Sequence, residues 1–339
     1  MRKKDEFHTQ HKTHHAEQVK SAKIERVDDT RFTRDLDALI EQAEEMRLKR
    51  MKQHRTRSFI AMTLNVISLT LGVGGFGWFL LMQAAPMQAL ASIAIAFFIP
   101  TFMHFWTKIP LEAYARDHKT IFMPKLAKAI AGLDFHASRG VSAKILERLA
   151  VIPPHDSYKA EDCFMGIYKG VKVILSEARL YSRHHTEGIV FDGLFVLLEN
   201  DQEVFEGHTI ITANHKMAKA SQKTRWKKLE KVHISVDNPE WDIFEIYSTK
   251  PDSAELFVGE KLIKELAEAA QVFDNAPLTA VLFGRKYVFL MIPYAKDMFE
   301  ASDIFVPFTT TQHALACKKE IEQLLEIVDV FDLYKPLDS

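Results

Sequence analysis

The chain has 339 residues, 26% of them charged, and a formal net charge of −1 at pH 7. The near-zero balance hides an uneven distribution. Residues 1–57 hold 15 Lys and Arg against 11 Asp and Glu, and residues from 232 onward hold 9 against 19. An acidic distal region argues against broad nucleic-acid binding there, because phosphate neutralisation needs clustered cations. Only two cysteines exclude a disulfide framework and fit a reducing compartment.

Residues 1–30 are polar, mixed in charge and poor in aromatics, which predicts a disordered tail. Four histidines in this tail would share one face of a helix and could bind zinc or nickel weakly. No cysteine or second ligand cluster closes such a site, so we interpret the segment as a soluble His-rich tail and predict no metal site. These histidines are His8, His11, His14 and His15.

Residues 31–57 form the next segment, with apolar residues at three- and four-residue spacing. This period predicts an amphipathic juxtamembrane helix, whose apolar face would pair either with a copy of itself or with the helix after the second span. The apolar positions are Phe32, Leu36, Leu39, Ile40, Ala43 and Met46.

Residues 58–107 carry no Asp, Glu, Lys or Arg. The run is long enough for two membrane spans of about 20 residues each and too long for one. Pro86 lies in a short, small and polar segment that suits a turn between helices. The run therefore predicts a transmembrane helical hairpin with spans at about 59–82 and 87–106.

Lys and Arg flank the hairpin on both sides, whereas the connecting turn has no charge. The positive-inside rule then places both termini in the cytoplasm. No signal peptide is predicted, because a charged tail precedes the first apolar run. The absence of charge within either span argues against a pump or an ion-coupled transporter.

Small residues four positions apart occur in each span: Ser68 and Gly72 in the first, Ser92 and Ala96 in the second. Such pairs allow two membrane helices to approach closely. They predict packing of the two spans against each other, with a homo-oligomeric contact as the alternative.

Residues 108–339 are predicted to form one cytoplasmic α+β domain with a mostly antiparallel sheet and packed helices, because strand-like segments follow one another with short turns. Helices are predicted at 111–149 (interrupted at Pro124 and near Gly132 and Gly140), 255–273 and 317–330. Strands are predicted at 163–168, 171–180, 188–198, 204–212, 232–236 and 243–247, and a hairpin at 278–283 and 286–292 around Gly284-Arg285.

Several short motifs occur in a fixed order in this domain: Glu161-Asp162-Cys163-Phe164-Met165-Gly166-Ile167-Tyr168-Lys169-Gly170, Ser176-Glu177, Phe191-Asp192-Gly193-Leu194-Phe195, Phe205-Glu206-Gly207-His208-Thr209, Asp237-Asn238-Pro239-Glu240-Trp241 and Phe244-Glu245-Ile246-Tyr247-Ser248. Together the motifs resemble DUF3137, a family of bacterial membrane proteins of unknown function, over about residues 111–333. The resemblance implies a hairpin ahead of a cytoplasmic domain in the bacterial inner membrane. It also implies a LemA-type membrane protein as a partner, and it carries over no catalytic residue.

The loop at residues 213–231 looks longer and more basic than the family pattern implies. Seven cations surround a tryptophan, with Glu230 as the single acid. Clustered cations and an indole suit anionic lipid headgroups, with each cation contributing up to about 1 kcal/mol near a charged leaflet. A mobile soluble loop is the alternative. The predicted lipid- or partner-contact residues are Lys216, Lys219, Lys223, Arg225, Trp226, Lys227, Lys228 and Lys231.

No nucleophile elbow, phosphate-binding P-loop or His-Glu-x-x-His zinc helix occurs in the sequence. We therefore predict no catalytic, cofactor-binding or metal-binding residue, and expect a non-enzymatic binding or scaffold protein contacting the bilayer and a protein partner. One alternative is an enzyme acting on a small or lipid-linked substrate. A further alternative is a pore-forming oligomer of hairpins. The enzyme would need a deep pocket that gathers residues such as Glu177, His184, His185, Asp237 or Glu240.

Overall fold

The computed structural model describes residues 30–82, 85–149, 151–186, 188–201, 203, 205–214, 229–235, 242–308 and 312–330. The chain forms two compact units. The first contains the residues up to Phe122 together with Glu300–Ala314, and the second contains Met123–Phe299 and the residues from Leu315 onward.

Two long helices dominate the first unit: α1 (Thr30–Leu81) and α2 (Pro86–Asp117), followed by a π-helical turn (His118–Phe122). The predicted juxtamembrane helix and the first span are therefore one continuous helix of 52 residues. Pro86 occupies the first turn of α2, where its missing N–H costs nothing.

The second unit begins with α3 (Met123–Ala131), β1 (Asp134–His136) and α4 (Ala143–Leu146). The interruption predicted near Gly132 and Gly140 is present, and it contains β1, a three-residue strand that is too short to carry a sequence period. Pro124 lies in the first turn of α3, directly after the π-helical turn, so the helical segment changes its hydrogen-bonding period there but does not end.

A nine-stranded sheet forms the body of the second unit, and every strand pairing in it is antiparallel. The predicted α+β class is therefore confirmed. The strand order is β1-β2-β3-β4-β9-β8-β5-β7-β6. The remaining strands are β2 (Ser157–Tyr168), β3 (Val171–Tyr181), β4 (Ile189–Glu199), β5 (Thr209–Thr212), β6 (Glu230–Val232), β7 (Glu245–Ser248), β8 (Thr279–Phe283) and β9 (Tyr287–Pro293).

Among the described residues, three helices follow β7 and β9 in the second half of the chain: α5 (Pro251–Phe257), α6 (Glu260–Val272) and α7 (Gln312–Asp329). The single helix predicted at 255–273 is divided in two, because Gly259 is the N-cap of α6 and has an extended backbone. The predicted turn Gly284-Arg285 is present, and both residues have positive φ (57° and 67°), as a tight hairpin turn requires.

One core cluster of the second unit lies on one face of the sheet and consists of apolar side chains from the central strands and from the α4 region. Phe195 and Phe289 are fully buried in it, with ring centroids 5.2 Å apart. Sheet register brings Gly193 of β4 opposite Pro293 of β9. A Cβ atom at Gly193 would lie 2.1 Å from the Ile292 carbonyl oxygen, so only glycine fits at this position.

Candidate functional site

Large apolar side chains are exposed along the uncharged parts of α1 and α2. The exposed fraction is 73% for Phe59, 67% for Leu71, 57% for Trp78, 66% for Phe97 and 64% for Phe102. By length and composition, both helices are candidates for crossing a membrane. A continuous apolar surface on this scale is unusual on a protein that is surrounded by water.

Beyond Ser58, whose hydroxyl lies 3.4 Å from His54 Nε2, the described hydroxyl groups of the uncharged run bond to the backbone of their own helix. Thr63 donates to the Phe59 carbonyl (3.0 Å), Thr70 to Val66 (2.8 Å) and Thr101 to Phe97 (2.8 Å). This pattern satisfies polar groups without water, which is the requirement inside a bilayer. The side-chain amide of Asn65 differs, because its buried Oδ1 has no hydrogen-bond partner.

The predicted small residues lie where α1 meets α2. A Cβ atom on Gly72 would lie 2.3 Å from Ala96 Cβ and 2.8 Å from the Ser92 carbonyl oxygen. A Cβ atom on Gly74 would have nothing within 4 Å. The contact therefore joins the two helices of one chain, which is the first of the two predicted alternatives.

Polar contacts close the hairpin at the charged end of the run. The Arg57 guanidinium lies over the Trp106 ring (5.1 Å to the centroid) and donates to the Trp106 carbonyl (3.2 Å). Pro110 lies inside α2 and lacks the N–H that would otherwise bond to this carbonyl, so Arg57 replaces the missing donor. Beyond it, Arg50 and Asp117 form an ion pair of 2.7 Å between α1 and α2.

The amphipathic face predicted for residues 31–57 is buried at Leu36, Ile40 and Ala43. The ion pair between Arg50 and Asp117 joins this part of α1 to the extension of α2. The arrangement favours the predicted pairing with the helix after the second span, rather than with a copy of the same helix.

Residues 300–308, which we call the strap, lie against the base of the hairpin within the first unit. Arg47 Nη1 donates to the Ile304 carbonyl (2.6 Å), and the Glu44 carboxylate accepts the Phe308 N–H (2.7 Å). Glu44 and Arg47 also bond to each other at 2.6 Å. The Tyr114 and Ser302 hydroxyls are 3.1 Å apart. The ion-paired residues of α1 thus bind backbone groups of a segment about 260 residues later in the chain.

A histidine pair continues this contact. His118 Nε2 and His313 Nε2 are 2.9 Å apart, and the His118 ring packs 5.1 Å from Phe122. One ring donates and the other accepts, so the two Nε2 atoms share a single proton. The pair supplies two nitrogen ligand atoms, whereas a structural zinc site uses four. Burial lowers the pKa of His313 and disfavours its charged form.

In the second unit, the predicted site residues have structural or exposed positions. Glu177 of β3 accepts the Met298 N–H (2.8 Å). His184 and His185 are exposed in the loop after β3. The cavity beside Glu177 has about 10 Å³, room for roughly one water molecule, and it is lined by charged side chains such as Arg179 and Asp192. Arg179 and Asp192 bond to each other at 2.9 Å.

Most of the predicted contact loop lies outside the described residues: Lys216, Lys219, Lys223, Arg225, Trp226, Lys227 and Lys228, as do His8, His11, His14, His15, Asp237 and Glu240. Lys231 is described and lies in β6, 3.8 Å from the Glu245 carboxylate of β7. The loop therefore connects β5 to β6, the strand at one end of the sheet order. Its role as a contact surface stays a prediction.

The two cysteine thiols are buried, and burial raises the pKa of Cys163 to about 12 and also raises the pKa of Cys317. Such thiols are poor nucleophiles at neutral pH. Glu320 is partly buried, which raises its pKa, and its carboxylate accepts the Phe299 N–H (3.1 Å). These groups hold the backbone or fill the core.

Residues 189–333 match the DUF3137 family, described as a protein of unknown function. The resemblance expected from the motifs is therefore confirmed over this range. The DUF3137 match includes the strap and the strands from β4 onward, and it excludes the hairpin and the motif at 161–170. No curated protein and no solved structure matches the chain.

Sequence reasoning missed the strap and its partners, Glu44 and Arg47. The strap has no helical or strand period, and its partner atoms are mostly backbone groups, which every residue type supplies. The one available signal was a Glu-x-x-Arg pair on the otherwise exposed side of a predicted amphipathic helix.

Proposed function

We propose that this chain is a membrane-anchored, non-catalytic binding or scaffold protein of the bacterial cytoplasmic membrane. In this proposal the hairpin of α1 and α2 is the anchor. The second unit is a cytoplasmic module that binds a protein partner, with a LemA-type membrane protein as the first candidate, or the anionic leaflet.

The observation that carries the proposal is the exposed apolar surface of the uncharged run, on helices whose hydroxyls bond to their own backbone. Lipid would remove side chains such as Leu71 and Phe97 from contact with water. Basic residues flank both ends of the run, which supports a topology with both termini in the cytoplasm and a short uncharged turn across the membrane.

The cavity beside Glu177 gives no support for an enzyme site at that residue, because about 10 Å³ does not hold a substrate. The basic segment between β5 and β6 supports a contact surface at the edge of the sheet. Lys231 is tied to Glu245, so the cations before it are the ones we propose for binding.

A charge introduced on the hairpin tests the anchor. Leu71→Arg puts a cation on the exposed apolar face of α1, and Leu256→Arg does the same on α5, where the side chain is 90% exposed. We expect Leu71→Arg to lower the membrane-integrated fraction after alkaline extraction, since an arginine at a span centre costs about 3 kcal/mol on insertion scales. Leu256→Arg should leave that fraction unchanged. Equal behaviour of the two variants would contradict a membrane anchor.

Charge reversal of the loop tests the binding module. Six cations (Lys216, Lys219, Lys223, Arg225, Lys227 and Lys228) are changed to Glu in the full chain, with Lys261 and Lys264 of α6 reversed in the control. Crosslinking in native membranes, followed by mass spectrometry, measures capture of a protein partner. Reconstitution of the chain in nanodiscs with and without anionic lipid measures capture of the loop by the leaflet. If the reversed chain no longer captures one stoichiometric partner, the loop binds a protein. If its capture by the leaflet is lost only in nanodiscs with anionic lipid, the loop binds the leaflet. If neither changes, the loop is not the contact surface.

A further inference from the structure

The strap makes a tight turn that exposes two large apolar side chains. Asp303 holds the turn, because its carboxylate accepts the Phe305 N–H (3.0 Å) and its carbonyl accepts the Val306 N–H (2.9 Å). Phe305 is 55% exposed and Val306 is 47% exposed, whereas Ile304 and Phe308 on either side of them are buried.

This exposure is imposed by fixed contacts on both sides of the turn. Arg47 binds the carbonyl of Ile304, and Glu44 binds the N–H of Phe308. The Phe308 ring also packs against Phe122, with centroids 4.8 Å apart. Because both ends are held, the turn cannot fold inward to bury its apolar tip without breaking these bonds.

The turn lies at the level where the uncharged run ends. The Phe305 ring meets the His54 ring edge-on, with centroids 5.8 Å apart. His54 precedes Ser58, the first residue of the run, by about one helical turn, roughly 6 Å along the axis. Its Nδ1 lies 2.9 Å from the carbonyl oxygen of Thr107, the last residue of the run. His54 therefore marks the boundary of the run on both helices.

A bilayer that covers the uncharged run would have its headgroup zone at this boundary, since that zone adds roughly 5 to 8 Å on each side of the hydrocarbon core. Arg57 and Trp106, stacked at 5.1 Å, have the cation and indole chemistry that is typical of this zone. Apolar side chains such as phenylalanine insert at the boundary between headgroups and acyl chains.

We propose that the turn at Phe305 and Val306 inserts into the headgroup region of the bilayer beside the hairpin, as a third membrane contact of this chain. The inference rests on the proposed membrane anchor. Because residues 305 and 306 lie within the DUF3137 match and the hairpin does not, the matched segment would carry a lipid contact of its own.

The test uses spin labels on single cysteines of the full chain in nanodiscs, with the depth of each label measured from its collisions with oxygen and with a water-soluble nickel chelate. Phe305→Cys and Val306→Cys report the turn, and the second keeps the phenylalanine contact with His54. Phe97→Cys reports the span. Ile121→Cys, 41% exposed in the π-helical turn and 14 residues beyond Thr107, reports the aqueous side. Unmodified protein gives the background, because Cys163 and Cys317 are buried.

We expect the labels at 305 and 306 to collide with the nickel chelate several-fold less than the label at 121, and to collide with oxygen nearly as often as the label at 97. Chelate accessibility at 305 and 306 equal to that at 121 would place the turn in water and overturn the inference. Shielding from both reagents would place a protein surface over the turn and also overturn it. A label at 97 that is open to the chelate would instead overturn the membrane anchor itself.

Discussion

Gly72 sets how closely α1 and α2 approach each other. The hydrogen atom on its Cα faces Ser92 and Ala96, with no room for a methyl group. Gly74 and Gly77, only two and five residues further along the same helix, would accept a Cβ atom with nothing within 4 Å. The glycines of the first span are thus not equivalent, although the sequence groups them.

We predict that Gly72→Ala destabilises the hairpin by about 1 to 3 kcal/mol, because the new methyl group forces the helices apart. Gly74→Ala is the matched control, and its effect should be small or slightly stabilising, since alanine is the better helix former. Unfolding by SDS titration in mixed micelles measures both. If Gly74→Ala lowered the free energy of unfolding more than Gly72→Ala, the close contact would lie on the other side of α1, against a neighbouring chain, which would favour the homo-oligomer.

At the scale of the element, α2 contains two prolines in its interior, Pro100 and Pro110, and still runs for 32 residues. The proline at 110 deprives the Trp106 carbonyl of its helical donor, and Arg57 of α1 supplies the bond from outside. The carbonyl that lacks a donor in α2 therefore receives its hydrogen bond from α1, at the point where the uncharged run ends and charged residues begin.

A double-mutant cycle tests this substitution of donors. We predict that Arg57→Leu costs about 1 kcal/mol more in the native chain than in a Pro110→Ala background, where residue 110 supplies the missing N–H. Loss of the contact with the Trp106 ring affects both backgrounds equally and cancels in the cycle. Arg55→Leu removes a neighbouring exposed cation as the control and should show no coupling to residue 110. A coupling near zero would mean that water satisfies the Trp106 carbonyl.

At the scale of the whole molecule, the chain leaves the second unit at Phe299, enters the first unit as the strap, and re-enters the second unit within α7. Phe299 has a φ of 58°, which is rare for a bulky residue. The Glu320 carboxylate accepts the N–H of Phe299, and the rings of Phe164 and Phe299 pack with their centroids 4.8 Å apart. The direction in which the chain leaves the sheet is therefore held by contacts within the second unit.

The stability of the second unit should depend on pH through His208. Burial lowers the pKa of His208 to about 4, against about 6.5 in an unfolded chain. Above pH 6.5 both states are neutral, so this side chain contributes no pH dependence. As the pH falls from 6.5 to 4, only the unfolded state takes up the proton, and the free energy of unfolding drops by up to about 3 kcal/mol.

Chemical denaturation of the full chain between pH 7 and pH 4, followed by a probe in the sheet, measures this loss. We expect His208→Asn to be less stable than the native chain at pH 7 but to lose clearly less of its stability on acidification. His184→Asn, at an exposed position, controls for the removal of an imidazole. An acid loss of the same size in His208→Asn and in the native chain would show that other groups account for it.

The sequence by itself determined the hairpin helices, the α+β class with its antiparallel sheet, and the small residues at the helix contact. The reason is that local sequence patterns specify these features: an uncharged run, the periods of strands and helices, and small residues four positions apart. The same patterns indicated the hairpin turn at Gly284-Arg285, because few residue types accept positive φ.

Only the tertiary structure decided the rest. In the sheet, β9 and β8 lie between β4 and β5. This order depends on pairing between strands that are far apart in sequence, which local sequence patterns do not specify. The strap is the clearest case, because Glu44 and Arg47 recognise the N–H of Phe308 and the carbonyl of Ile304. Backbone groups are the same in nearly every residue, so the position of the strap in the folded chain decides which of them bind Glu44 and Arg47. The exposure of Phe305 and Val306 follows from these two contacts.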